Sequence, residues 1–228
     1  YLSNRSQIIQ VGNGFSTELE LESGTPQGSS CSCLVFALFV GDLALWIGTG
    51  QLGAYADDTF LTVEADNETE LRIKLETEGK KILEYFASNH LVANASKTAL
   101  VVFRKKNQER EPFSISLLGE VIEETAKEKL LGVYVQSDLK WTKQCEKVTM
   151  DANYAISVLS RLKDHLDKKE LRIIADGLVM SKLRYCLPVY AAESLRFNAS
   201  DPQSSALQRV QVAQNDMLRV HTRRMRNI

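Results

Sequence analysis

Two short β-rich runs joined by a pair of acidic residues restrict the fold of this chain more than any other feature. Residues 51–56 and 59–65 are rich in apolar, aromatic and threonine side chains, and only Asp57 and Asp58 separate them. Two such runs with a two-residue connection predict a β-hairpin. We therefore expect both carboxylates at the tip of that hairpin.

Paired carboxylates at a tight turn have a specific chemical use. Mg²⁺ prefers oxygen ligands and is often held by one or two carboxylates together with substrate phosphates. Two such ions about 4 Å apart can clamp the attacking and leaving oxygens of a phosphoryl transfer. A solvated Asp-Asp turn without any ligand is the commoner use of such a pair. Asp57 and Asp58 therefore do not decide the function by themselves.

A second turn-forming stretch lies upstream of the hairpin, at residues 23–29, where the chain reads Ser-Gly-Thr-Pro-Gln-Gly-Ser. Gly24 and Gly28 permit close approach of the backbone to a ligand, and Gln27 offers both a donor and an acceptor to a base or sugar. The simpler interpretation is the start of a helix. The apolar run over residues 30–46 that follows predicts a mostly buried helix.

Further elements alternate in type up to about residue 143. Residues 7–11 and 15–21 flank Gly12-Asn13-Gly14, which predicts a hairpin. Asn67 followed by Glu70 predicts the start of a long helix. The apolar stripe of that helix is Leu71, Leu75, Ile82 and Phe86, with Gly79 on the same face. Predicted strands at 98–103, 113–117, 120–123 and 130–135 complete an α+β pattern.

From about residue 144 onward the apolar residues repeat every three or four positions, which predicts helices. The first repeat comprises Cys145, Val148, Ala152, Ala155, Leu159 and Leu162. The second comprises Leu171, Ile174, Leu178 and Val179, and the third Leu207, Val210, Met217 and Val220. Residues 197–204 are rich in Asn, Ser, Asp and Pro and are expected to form a loop. We place the domain boundary at residue 143.

The net charge of −1 hides an uneven distribution. Residues 1–143 carry 14 Lys and Arg against 20 Asp and Glu, whereas residues 144–228 carry 14 against 9. The basic half ends in a cluster that contains Arg223, Arg224 and Arg226. A basic half fits the binding of a polyanion, although two differently solvated surfaces explain the same distribution equally well.

The four cysteines and the hydropathy of the chain exclude several classes of protein. Cys31, Cys33, Cys145 and Cys186 form no pair of the spacing that zinc sites use, and we expect them to be small buried residues in a reducing compartment. No stretch reaches the ~18 continuous apolar residues of a membrane span. We therefore expect no membrane partner.

In order and spacing, residues 23–29, 55–58, 94–98, 130–133 and 139–141 resemble the reverse transcriptase domain of non-LTR (LINE-type) retrotransposons. The helical remainder resembles the thumb of those elements. The resemblance implies a right-hand polymerase fold. Residues 1–143 would be part of the palm, an antiparallel sheet with packed helices, and residues 144–228 would be an all-α thumb.

The resemblance also implies roles for individual residues. Asp57 and Asp58 would be the catalytic carboxylates that hold two Mg²⁺ ions, and Lys97 would approach the phosphates of the incoming nucleotide. Leu131 and Gly132 would belong to the hairpin that grips the primer end. The nucleotide and template side would be lined by Gly24, Pro26, Gln27 and Gly28. A supporting helix would carry Phe36 and Asp42. Contacts to nucleic acid would come from Arg223, Arg224 and Arg226.

The function implied by the resemblance is RNA-directed DNA polymerase activity. The partners would be an RNA template, a DNA primer and deoxynucleotides, in an intracellular location that could include the nucleus. The family also uses an aspartate on a strand before the Pro26-Gln27-Gly28 box, and residues 1–22 contain no aspartate. We therefore expect a fragment without the fingers and the first palm motif, and an isolated chain without activity.

Two alternatives remain. One is a catalytically inactive remnant of a retrotransposon that still binds nucleic acid. The other is an RNA-dependent RNA polymerase, which also uses paired aspartates. The combination of Tyr55-Ala56-Asp57-Asp58 with Pro26-Gln27-Gly28 argues against the RNA-dependent RNA polymerase.

Overall fold

The computed structural model describes residues 3–222, apart from 23, 27, 105–111, 118 and 192–201, and without the side chains of 202–204 and 221. The chain divides into two compact units. The first unit contains Tyr1–Thr98 and Ile115–Val121, and the second contains Ala99–Ser114 and Ile122–Ile228. This division follows compactness, so the palm over 1–143 and the thumb over 144–228 stay predictions.

The first unit begins with the predicted hairpin around Gly12. Strand β1 (Arg5–Gln7) pairs with β4 (Leu19–Leu21), and β2 (Gln10–Val11) pairs with β3 (Gly14–Phe15), both antiparallel. The ladder breaks where the Ser16 hydroxyl accepts the Ile9 N–H at 2.9 Å. Gly12 has a φ of 60°, the left-handed backbone that the first turn position of a tight hairpin requires.

The predicted helix over residues 30–46 forms only in part. Helix α1 spans Ser32–Phe39 and none of its residues is buried. A short 3₁₀ turn over Leu43–Trp46 follows, and only its first residue is buried. Gly41 and Asp42 separate the two pieces, because both residue types disfavour a helix interior. The expectation of one mostly buried helix is therefore wrong, and Phe36 and Asp42 do not share a helix.

The long helix α2 spans Glu68–Ser88 and begins as predicted, because the Asn67 side chain accepts the Glu70 N–H at 2.9 Å. Its buried residues are Glu78, Gly79 and Tyr85. The predicted apolar stripe is only half-buried apart from Gly79. A β-carbon on Gly79 would lie 2.8 Å from Leu117, so the glycine permits close packing.

Most of the predicted strands form. Strands β5 (Gln51–Tyr55) and β6 (Asp58–Thr62) make the acidic hairpin, and β7 (Ser114–Leu117) pairs with β8 (Glu120–Glu123). The strand expected at 98–103 is reduced to one parallel bridge between Leu100 and Glu124. The described ladders are each two-stranded, and the larger antiparallel sheet of a palm stays a prediction.

The prediction of one strand over residues 130–135 is wrong, because the chain reverses direction within this segment. Strand β9 (Lys127–Leu130) and strand β10 (Val133–Gln136) pair antiparallel on either side of Leu131-Gly132. Both turn residues have a positive φ, so a turn replaces the middle of the predicted strand.

The second unit has a helical core. Its helices are α3 (Thr142–Leu162), α4 (Lys168–Ala175), α5 (Ser181–Arg184), α6 (Leu187–Ala191) and α7 (Pro202–Thr222), with a π-helical turn over Asp176–Met180 before α5. Of the first predicted repeat, all members but Leu162 are buried. Leu171, Val179, Val210 and Met217 from the other repeats join the same core, whereas Leu178 is exposed. Helix α7 begins inside the predicted loop, and residues 197–201 lie outside the described part.

These elements confirm the α+β class. Cys145 is buried as expected, but Cys31 and Cys33 are exposed, so their interpretation as buried residues is wrong. Burial raises the pKa of the Cys145 thiol to about 11. Within the described residues, no helix has the length and apolar character needed to span a membrane.

Candidate active site

The predicted hairpin is confirmed and the acidic pair lies at its end, but the turn is shifted by one residue from the predicted Asp57-Asp58 connection. Tyr55 pairs with Asp58, which leaves Ala56 and Asp57 as the two turn residues. Ala56 has a φ of 51° while Asp57 does not have a positive φ, which is the pattern of a type II′ turn. The turn therefore presents Asp57 at the tip and places Asp58 at the first position of β6.

The register fixes which side chains accompany the acids. Asp58 and Phe60 alternate with Thr59 and Leu61, so Asp58 shares a face of the hairpin with Phe60. Thr59 and Leu61 are half-buried, whereas Asp57 and Asp58 are exposed. Both carboxylates are therefore accessible to a ligand from solvent.

Gly53 allows an aromatic ring to cover the exposed face of the hairpin. Gly53 pairs with Phe60, and a β-carbon on Gly53 would lie 2.1 Å from the Phe60 ring. The ring lies directly over the glycine, an arrangement that protects a glycine within a strand. This contact fixes the position of the Phe60 side chain, two residues after Asp58.

The start of β5 is held by a buried carboxylate on α2. Glu78 is 2% exposed and accepts the Gly48 N–H at 2.9 Å and the Thr49 N–H at 3.2 Å. It also accepts the Thr49 hydroxyl and the Lys81 ammonium, both at 3.0 Å. Burial raises the pKa of Glu78, but the hydrogen bonds from Gly48, Lys81 and Thr49 outweigh it and hold the pKa below its ordinary value. The carboxylate thus stays charged and fixes the segment that leads into the acidic hairpin.

A buried tyrosine holds the segment before that one. Tyr85 is 1% exposed and its hydroxyl donates to the Asp42 carboxylate and to the Phe39 carbonyl. Burial and the Asp42 carboxylate raise the pKa of Tyr85 to about 12. The Trp46 ring meets the Tyr85 ring edge-on, with centroids 5.5 Å apart. Asp42 therefore has a structural contact, although it is not part of α1.

In the box before α1, the Ser29 N–H donates to the Pro26 carbonyl at 3.2 Å, which closes a turn. Gly24 and Gly28 have φ values of 86° and 83°, and an added β-carbon would meet open space at both. The glycines are thus required by the backbone conformation. The Ser32 hydroxyl donates to the Pro26 carbonyl at 2.6 Å, which ties the turn to the helix. Gln27 lies outside the described residues, so its place on the nucleotide and template side of the site stays a prediction.

Lys97 is exposed at the end of a 3₁₀ turn over Ala95–Lys97. The Asn94 side chain accepts the Ser96 N–H at 3.0 Å and so begins that turn. Within the described residues no hydrogen bond or ion pair joins Lys97 to Asp57 or Asp58. Its role toward nucleotide phosphates stays a prediction, as do the roles of Arg223, Arg224 and Arg226, which lie outside the described part.

The predicted primer grip is a turn in the second unit. Leu131 and Gly132 have φ values of 47° and 85° between paired strands, which defines a type I′ turn. The Tyr185 hydroxyl donates to the Leu131 carbonyl at 2.6 Å, and a β-carbon on Gly132 would lie 3.3 Å from the Tyr185 ring. The sequence did not predict Tyr185, because no local signal links residues 54 positions apart.

Two glutamines attach the same hairpin to α3. The Gln144 side chain, 3% exposed, accepts the Tyr134 N–H at 3.0 Å. Gln136 accepts the Lys143 N–H at 2.7 Å and the Thr142 hydroxyl at 3.1 Å, which satisfies the first turn of α3. Strand β10 and α3 are therefore one hydrogen-bonded assembly, which sequence reasoning also missed.

The donor type at the acidic tip fits Mg²⁺, because both side chains are carboxylates exposed at a turn. Among the described residues, no three Asp, Glu, His or Cys side chains come together in a group that could hold a metal. Asp57 and Asp58 can thus supply two oxygen-donating ligands, and further ligands would come from substrate phosphates or water.

An acidic hairpin tip on an α+β scaffold is a feature of enzymes that transfer nucleotides. The family model described as reverse transcriptase (RNA-dependent DNA polymerase) matches residues 2–145. The chain belongs to this family, whose members have a palm-type fold, copy an RNA template from nucleotide substrates and generally use Mg²⁺. No curated protein and no solved structure matches the chain.

Proposed function

We propose that this chain supplies the acidic palm hairpin and the thumb of an RNA-directed DNA polymerase from a non-LTR retrotransposon. One observation carries the proposal: Asp57 and Asp58 lie exposed at a hairpin tip, inside the segment that matches the reverse transcriptase family. The non-LTR assignment rests on the order of the motifs from residue 23 to residue 141. Under this assignment the helices up to and including α7 belong to the thumb.

In the proposed reaction the 3′-hydroxyl of the primer attacks the α-phosphate of a deoxynucleotide, a P–O bond forms, and pyrophosphate leaves. Bound Mg²⁺ would neutralise charge on the phosphates and align the reacting oxygens. Asp57 and Asp58 would provide oxygen ligands for it on a turn whose backbone is fixed by the Tyr55–Asp58 pair. Glu78 holds the segment before β5 through Gly48 and Thr49, so α2 anchors the chain that leads to the acidic hairpin.

The other residues act on substrate position. Lys97 would contribute a point charge near the nucleotide phosphates, and Gln27 would bond a base or sugar. Leu131 and Gly132 would hold the primer end. The basic excess after residue 143 would contact phosphates of the template–primer duplex without reading its sequence.

The test is Mg²⁺-dependent extension of a DNA primer on an RNA template by the full protein, with Asp57→Asn and Asp58→Asn as variants. Asp66→Asn is the matched control, since Asp66 is also an exposed aspartate of the first unit. Each active-site variant should reduce extension to background while circular dichroism shows an intact fold. Extension that survives in both variants would disprove the proposal.

Magnesium binding gives a second readout that does not depend on activity. Calorimetric titration with MgCl₂ in the presence of primer–template should show weaker binding in Asp57→Asn than in Asp66→Asn. Equal affinity in both would mean that the hairpin tip does not hold the ion.

A catalytically inactive protein that binds nucleic acid is the alternative. It is favoured by one observation, that no third metal-ligating side chain joins Asp57 and Asp58 among the described residues. Under this alternative the full protein binds primer–template and does not extend it. Robust Mg²⁺-dependent extension by the full protein would exclude it.

A further inference from the structure

The turn that the proposed function assigns to the primer end is not stable by its own sequence. A type I′ turn needs a positive φ at both central residues, and glycine, asparagine and aspartate are the residues that adopt it readily. Gly132 meets this requirement, but Leu131 adopts its φ of 47° against the steric preference of a side chain with a β-carbon. Contacts from outside the turn must therefore favour this conformation.

Tyr185 supplies two such contacts. Its hydroxyl donates to the Leu131 carbonyl at 2.6 Å, and its ring lies against the α-carbon of Gly132, where a methyl group would be 3.3 Å away. Both contacts involve the turn itself, whereas Gln144 and Gln136 bond to strand β10 and the start of α3. The tyrosine thus acts at the end of the hairpin that the glutamines do not reach.

Tyr185 lies at the end of a helix, so its backbone position is well fixed. It follows Arg184, the last residue of α5, and its N–H donates to the Ser181 carbonyl at 3.2 Å. Leu183, two residues earlier, is buried in the helical core. Although the Tyr185 side chain is 51% exposed, its backbone is therefore tied to the most tightly packed part of the second unit.

We propose that Tyr185 is a positioning residue that holds the Leu131-Gly132 turn in its left-handed conformation and thereby sets the place of the primer 3′ end. The claim about the primer 3′ end rests on the proposed function, whereas the claim about the turn conformation does not. The hydroxyl acts on the carbonyl of Leu131, and the ring restricts the space above Gly132. Tyr185 itself takes no part in bond making or breaking.

The first experiment measures the turn without nucleic acid. Hydrogen–deuterium exchange of the peptide that covers residues 127–136 is compared between the full chain and Tyr185→Phe, which keeps the ring and removes the hydroxyl. Tyr154→Phe is the matched control, because Tyr154 is an exposed tyrosine on α3 in the same unit. Loss of one hydrogen bond should speed exchange about twofold to tenfold in Tyr185→Phe, and the control should match wild type. Equal exchange in all three proteins overturns the proposal.

The second experiment measures the effect on the primer end. Fluorescence anisotropy gives the Kd of each protein for a recessed DNA primer on an RNA template and for a blunt duplex of the same length. Tyr185→Phe should weaken binding of the recessed end about twofold to tenfold and leave the blunt duplex unchanged. General destabilisation would weaken both equally, so an unchanged ratio of the two Kd values overturns the positioning role.

The two experiments separate this inference from the proposed function. If the wild-type chain prefers neither duplex and binds both poorly, the proposed function fails for this chain. The exchange experiment then still decides whether Tyr185 holds the turn. If exchange is faster in Tyr185→Phe and the preference for the recessed end falls, both halves of the inference are supported.

Discussion

Replacement of Glu78 by glutamine tests how firmly the acidic hairpin is anchored. The two backbone N–H groups of Gly48 and Thr49 both donate to this buried carboxylate. Glutamine has one carbonyl oxygen, so its NH₂ group must face one of the two N–H donors. One buried donor is then left without an acceptor, and the other loses the assistance of a charge.

The expected cost is about 2 kcal/mol, since an unsatisfied buried group costs about 1–3 kcal/mol. Lys81 adds little to this figure because its side chain is 36% exposed and solvent weakens the ion pair. With a urea m-value of about 2 kcal/mol per M, the unfolding midpoint of the first unit should fall by about 1 M. Trp46 fluorescence reports this unit when Trp141→Phe is present in every protein compared.

The pH dependence gives a second check of the same reasoning. The folded pKa of Glu78 lies below its ordinary value of 4.5, so the charged carboxylate stabilises the folded state at and above that pH. This contribution is lost as pH falls through the folded pKa. The difference in unfolding free energy between wild type and Glu78→Gln should be full at pH 7 and shrink below pH 4.5.

Glu84→Gln is the matched control, because Glu84 is an exposed glutamate on the same helix. It should change the free energy of unfolding by less than about 0.5 kcal/mol, as surface substitutions do. The reasoning is refuted if Glu78→Gln is no more destabilising than Glu84→Gln, or if its effect is the same at pH 3.5 and pH 7.

Three further predictions concern the hairpin and its substrates. Gly53→Ala should lower stability by about 1–3 kcal/mol, because its methyl group would meet the Phe60 ring; an unchanged urea midpoint would contradict this packing. Lys97→Ala should slow nucleotide incorporation more than it weakens template binding, and Lys97→Arg should have a smaller effect. Equal single-turnover rates for wild type and Lys97→Ala would mean that Lys97 is an ordinary solvated surface charge. Replacing three arginines by alanine should flatten the slope of log affinity against log salt for template–primer by up to about three, and parallel lines would exclude phosphate contacts. Those arginines are Arg223, Arg224 and Arg226.

Sequence reasoning succeeded where a local pattern determines the structure. The hairpin around Asp57 follows from two short β-rich runs with a two-residue connection, and α3 follows from apolar residues spaced by three and four. The start of α2 follows from Asn67. In each case the residues that decide the structure are close together in the chain, so the pattern carries the information.

Sequence reasoning failed where distant residues decide. Glu78 was not recognised as buried, because its partners Gly48 and Thr49 lie on another segment and make an acid tolerable there. The local pattern predicted an unbroken strand through Leu131, because leucine rarely adopts a left-handed backbone. Only the resemblance implied a hairpin there. The contact that accompanies it comes from Tyr185, which no periodicity could have indicated.

The apolar helix α1 has a consequence for the behaviour of the purified protein. None of its eight residues is buried, and Leu34 and Leu38 are 63% and 74% exposed. Contiguous apolar surface of this kind promotes association between molecules. We expect light scattering from the isolated chain to rise with protein concentration and to fall when a mild non-ionic detergent is added. An affinity measured at a protein concentration where scattering has risen would then describe the assembled species.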